Sequence, residues 1–186
     1  IKSKFFTERS FVDEDLKNET SSAEVNVTKV KVKSSQEIFE EVQITRTFLL
    51  SDKAGEGKST TFRNFASKLK QEHPTKWIQF LDLKKYDKAF AGAKKFDNLD
   101  ELKDFLSSKL LSLNDFESQI FLDLFESSNV VFLYDGVDEI SPTYNELILN
   151  LMEKVKNFTE NLQFVSTRPQ HSLSIQERLN VKAHKF

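Results

Sequence analysis

An apolar run, Phe48-Leu49-Leu50, breaks into a short loop carrying Gly55 and Gly57 and restarts at Lys58-Ser59-Thr60 as a helix-compatible sequence. Few local patterns restrict a fold as tightly. A strand that turns through glycine straight into a helix leaves the first N–H groups of that helix unpaired. Those groups and the helix dipole favour an anion, and glycine lets backbone approach it closely. The chain holds only four glycines; two are spent here, and a third, Gly136, sits in an acidic segment. Ala54-Gly55-Glu56-Gly57-Lys58-Ser59-Thr60 therefore reads as a polyphosphate cradle. Lys58 reaches the terminal phosphates, Ser59 is a ligand for Mg2+, and Thr60 adds a second small hydroxyl. Asp52 stands where the full pattern has its first glycine. Aspartate tolerates a left-handed backbone better than most residues, but its charge close to the phosphates is unfavourable unless the side chain turns away.

The following residues supply the context the loop requires. Phe62, Phe65, Ala66 and Leu69 recur at helical spacing, and His73-Pro74 stops the helix. Trp77 to Leu81 then reads as a strand. Further on, Val130-Val131-Phe132-Leu133-Tyr134 is a continuous run of β-formers, the signature of a strand covered on both faces. It ends in Asp135-Gly136-Val137-Asp138-Glu139. Sites of open α/β sheets lie at the carboxyl ends of strands. Asp135 is thus placed to hold Mg2+, and Glu139 or Asp138 to orient or deprotonate a water. Leu162 to Val165 is a fourth apolar run and leads into Ser166-Thr167-Arg168-Pro169, where Arg168 can sense a terminal phosphate.

In this order the three motifs resemble the NACHT domain of the signal-transducing (STAND) P-loop NTPases. The resemblance rests on Ala54 to Thr60, on the tandem acids of Leu133 to Ile140, and on Thr167-Arg168-Pro169, and it spans residues 46 to 186. It implies an ATP/ADP-binding, Mg2+-dependent switch with slow hydrolysis. It also implies self-association, protein partners reached through further domains, and a cytoplasmic role in innate immune or cell-death signalling. The family clamps nucleotide with downstream helical and winged-helix segments. The chain opens at Ile1 and stops at Phe186, and is expected to be an excerpt ending before them.

Composition narrows the classes. The absence of cysteine removes disulfides, thiol catalysis and cysteine–zinc sites. A net charge of −2 gives no reason to expect nucleic acid or membrane surface as a partner, and no apolar run is long enough for a membrane span. Eighteen phenylalanines offset a modest apolar content by supplying large buried area per residue. His73, His171 and His184 are scattered and are expected at surfaces or turns. Asn18-Glu19-Thr20, Asn26-Val27-Thr28 and Asn157-Phe158-Thr159 match the glycosylation pattern by chance.

The predicted fold is α/β, a three-layer P-loop core with a mostly parallel five-stranded sheet. Its strands fall near 47–51, 77–81, 130–134, 162–166 and 181–185, with helices between them. Residues 1–45 read as an N-terminal extension or linker packing on the core. Within them, Lys29, Lys31 and Lys33 alternate with Val30 and Val32 as an edge strand, and Gln36 to Val42 forms a short helix facing Ile38, Phe39 and Val42 inward. Asn98 with Glu101, and Thr143 with Glu146, read as helix caps. The stripes Leu99, Leu102, Phe105, Leu106, Leu110; Phe116, Ile120, Leu124 and its neighbours within Asn114 to Glu126; and Leu147, Ile148, Leu151, Val155, Phe158 read as core.

Competing readings share the phosphate loop. A non-hydrolysing scaffold would not need the acids at Asp135, Asp138 and Glu139. A GTPase would need a guanine-reading Asn/Thr-Lys-x-Asp motif, which the sequence lacks. A small-molecule kinase would need an acceptor site, and none is evident.

Overall fold

The structure is a computed structural model and describes residues 12–13 and 35–185. The alternating Lys29–Lys33 segment and the tripeptides at Asn18 and Asn26 lie outside the described residues. The strands are β1 (Val12–Asp13), β2 (Thr47–Ser51), β3 (Trp77–Asp82), β4 (Val130–Asp135), β5 (Leu162–Thr167) and β6 (Ala183–Lys185). They form one sheet in the order β1-β6-β2-β5-β4-β3. The five strands from β6 to β3 are parallel, as expected; β1 adds a short antiparallel edge against β6 that the sequence did not signal.

Among the described residues seven α-helices accompany them: α1 (Ser35–Thr45), α2 (Lys58–Glu72), α3 (Asp87–Phe90), α4 (Leu99–Asp104), α5 (Asp115–Glu126), α6 (Asn145–Phe158) and α7 (Pro169–Leu179). Alternation along the strands explains the layers, because successive strand side chains point to opposite faces. Leu49, Phe132, Tyr134 and Val165 face one core with Leu102, Phe121, Ile148 and Ile175. Phe48, Leu50, Val131, Leu133 and Phe164 face the other, with Ile38, Phe39 and Val42 of α1 and Phe62 and Leu69 of α2. A sheet covered on both faces needs apolar side chains at consecutive positions, which is why β4 reads as one unbroken run.

Buried amides tie the layers together. Asn161 is fully buried; its Oδ1 accepts from the Val130 N–H at 2.9 Å and its Nδ2 donates to the Phe125 carbonyl at 2.8 Å, joining the end of α5 to the start of β4. Tyr134 is the opposite case. Its hydroxyl is buried without a hydrogen-bond partner among the described residues, and burial pushes its pKa up. Tyr134→Phe is therefore expected to stabilise the domain by about 1 kcal/mol, since it removes an unpaired polar atom and leaves the ring packing intact. A denaturant midpoint that falls instead would mean that the hydroxyl is satisfied in solution.

Several expectations need correction. In α5 the buried positions are Phe121 and Phe125, while Phe116 is 74% exposed and Ile120 38%. Both stripes have helical spacing, and periodicity cannot choose between them. The choice is made by ring contacts: Phe121 and Phe125 each meet Phe132 edge-on, and Trp77 meets Phe121. Phe158 lies at the end of α6, 37% exposed, under the Lys154 ammonium at 5.0 Å. Thr143 is not a helix cap. Pro142–Tyr144 form a 3-10 turn, α6 starts at Asn145 without a side-chain cap, and Glu146 pairs with Lys95 at 3.3 Å. Asn98 does cap α4, accepting from the Glu101 N–H at 2.9 Å, but the helix widens into a π-helix over Phe105–Leu110. His184 is buried rather than at the surface; it stacks on Phe48 at 4.6 Å and its Nε2 lies 3.5 Å from Glu41.

Candidate active site

The strand order explains how distant motifs meet. β5 lies between β2 and β4. The carboxyl ends of three neighbouring strands therefore present the glycine loop, the segment Ser166–Arg168 and the acidic segment side by side. They enclose a hollow of about 200 Å³ lined by Ala54, Gly55, Gly57, Lys58 and Ser59 on one side and Asp135, Gly136, Asp138, Glu139, Ser166 and Arg168 on the other. Larger hollows exist, about 470 Å³ between α1 and α2 and about 580 Å³ beside residues 89–97, but neither gathers these groups. Chemistry rather than size locates the site. Glu56 and Thr60 stand apart from its lining, with Thr60 exposed on the first turn of α2.

Gly55 and Gly57 take left-handed backbone, with φ of 85° and 82°. Gly57 is the N-cap of α2, and no side chain caps that helix. Its first N–H groups remain available to an anion. Asp52, by contrast, is not among the positive-φ residues, so the turn never demands glycine there. Its Oδ1 accepts from the Lys53 N–H at 2.8 Å, which turns the carboxylate onto its own loop. Lys58 folds back across that loop, donating from Nζ to the carbonyls of Asp52 at 2.6 Å and Lys53 at 2.7 Å. Burial lowers the Lys58 pKa below the ordinary lysine value, opposed by the carboxylates of Asp138, Asp52 and Asp135 and reinforced by Arg168.

The acids differ in how they are held. Asp135 ends β4 and is buried; Ser166 Oγ donates to its Oδ1 at 2.7 Å and itself accepts the Gly136 N–H at 3.0 Å. Asp138 is committed to Arg168, with Nε 2.8 Å from Oδ2 and the Arg168 backbone N–H donating to Oδ1 at 3.0 Å. Thr167 Oγ1 adds a longer contact at 3.4 Å. Glu139 is the freest of the three, with its side chain 40% exposed. Gly136 explains its placement: φ is 75°, and a Cβ there would stand 3.3 Å from Glu139 Cγ and Cδ. Thr167-Arg168 thus has a structural partner in Asp138, which the sequence did not reveal. The roles of Ser166 and Asp82 were also missed, although Asp82 ends β3 and Ser166 is the penultimate residue of β5, on the side of the sheet where α/β sites form.

A scan against family models matches the NACHT domain over residues 46–185. The chain belongs to the NACHT domain family. It is accordingly a P-loop NTPase domain, of a family that binds nucleotide with Mg2+. A search of curated proteins found no match.

The residues present fit such a group. Among the described residues no cluster of three His, Cys, Asp or Glu side chains could cage a metal. Mg2+ bound with nucleotide needs only one or two carboxylates or hydroxyls, because phosphates and waters complete its shell. Ser59 and Asp135, one hydroxyl and one carboxylate, face each other on the two walls of one hollow. No helix of the described residues is long and apolar enough to cross a membrane.

Proposed function

We propose that this NACHT domain binds ATP and ADP with Mg2+, hydrolyses ATP slowly, and acts as a nucleotide-controlled switch for self-association. The observation that carries the reading is the convergence of Lys58, Asp135, Glu139 and the Arg168–Asp138 pair on one hollow. Ala54, Gly55, Gly57 and the α2 N-terminus would cradle the phosphates, with Glu56 and Thr60 at the margin of the loop. Ser59 and Asp135 would hold Mg2+, which when bound neutralises phosphate charge and orients the terminal phosphoryl group. Glu139 would orient and deprotonate water. Arg168 would exchange its partner: released from Asp138, it meets the charge of a terminal phosphate, and that exchange makes ATP and ADP distinguishable. A hollow of about 200 Å³ takes the phosphate end only, so base and ribose need contacts beyond these walls. Family membership supports placing the output in cytoplasmic innate immune or cell-death signalling, through partners bound by other domains.

The test is the identity of nucleotide carried by the purified full chain, followed by titration with ATP, ADP and GTP in Mg2+. Co-purified ADP with adenine preference is the expected result. Co-purified GDP would reverse the base assignment, and ATP bound without any turnover would favour the non-hydrolysing scaffold.

A further inference from the structure

We propose that Lys84 is a positioning residue for Glu139, anchored by Asp82; the proposal rests on the reading of Glu139 as the base. Glu139 accepts no hydrogen bond among the described residues, and its own loop leaves it half-exposed. What fixes its carboxylate comes from neighbouring strand ends. Lys84 Nζ lies 3.6 Å from Oε2 and Arg168 Nη2 lies 3.9 Å from Oε1, so the carboxylate is bracketed by two cations. Arg168 follows β5 and Lys84 follows β3.

Lys84 is itself held. Asp82 ends β3 in register with Asp135, and its side chain is 9% exposed. A carboxylate that deep requires compensating charge. It receives Lys85 at 3.0 Å, Arg63 of α2 at 3.7 Å and Lys84 at 3.8 Å. Lys84 therefore spans Asp82 and Glu139, linking the end of β3 to the base. A second tie keeps the two segments in step: Asp87 Oδ1 accepts the Ser141 N–H at 3.2 Å. Pairs as exposed as Lys84–Glu139 contribute little to folding stability. Their effect falls instead on where a reacting group points, where small misplacements slow chemistry strongly.

The experiment compares the full chain with Lys84→Met, Lys84→Arg, Asp82→Asn and Glu139→Gln, reading Mg-ATP affinity and single-turnover hydrolysis separately. Lys84→Met should slow the turnover step about tenfold while affinity shifts less than about twofold. Lys84→Arg should recover most of the rate, and Asp82→Asn should slow it in the same direction. Parental turnover in Lys84→Met beside a slow Glu139→Gln sinks the positioning role and leaves the site reading intact. Parental turnover in Glu139→Gln, or no turnover in the parent, sinks both. Loss of affinity in Lys84→Met by the same factor as rate would make Lys84 a nucleotide contact, and would also overturn the proposal.

Discussion

Lys58→Ala should weaken Mg-ATP binding by at least about a hundredfold, equivalent to ~3 kcal/mol. Three features of the structure set that size. The ammonium lies over the loop, 2.6 and 2.7 Å from two of its carbonyls, so it is already held at the mouth of the hollow. Partial burial strengthens its field, since charges away from bulk water are poorly screened. Finally, the opposite wall carries Asp135, Asp138 and Glu139. With Lys58 removed, a polyphosphate would meet three carboxylates with Arg168 as the main remaining cation, itself committed to Asp138 at 2.8 Å. Repulsion then adds to the lost attraction. Isothermal titration, with folding verified by circular dichroism, reads the effect. Binding within about threefold of the parent would show that polyphosphate is not gripped here.

Glu139→Gln should leave nucleotide affinity nearly unchanged and cut turnover by about 10² to 10³. Glutamine keeps the size and one acceptor oxygen of the side chain but cannot take a proton. The choice of Glu139 over Asp138 follows from their partners. Asp138 is nearly buried and saturated by the Arg168 guanidinium and backbone N–H, so freeing it to act as base would cost those bonds. Glu139 lines the same hollow and has only longer ionic contacts, at 3.6 and 3.9 Å. Phosphate release in a single-turnover assay separates the alternatives. A rate unaffected by Glu139→Gln, together with a collapse in Asp138→Asn, would reassign the base to Asp138.

How much of this was legible in the chain depends on the range of the interaction. Asn98 with Glu101 and the left-handed glycines at 55 and 57 are local, and the residues themselves dictate the geometry. The unbroken apolar run of β4 announces a strand covered on both faces, and it is one. Phe116 against Phe121 is the counter-example. Both lie on plausible helical stripes, and only the rings of Phe132 and Trp77 decide which side of α5 faces inward. His184 shows the same limit, since its burial depends on Phe48 and Glu41, remote in the chain. At the site, the residue types and their strand-end positions could be read; their pairings could not.

The sequence by itself determined the local devices: a helix that follows Gly57 without a side-chain cap, strands apolar on both faces, and acids stationed where β4 stops. Each follows from backbone sterics and side-chain periodicity within a few residues. Only the tertiary structure decided that β5 intervenes between β2 and β4, that Arg168 closes on Asp138, and that Lys84, held by Asp82, reaches Glu139 from the end of β3. Those outcomes depend on which strands become neighbours, and strand order is settled by packing the whole core, a long-range choice that no short stretch of residues encodes.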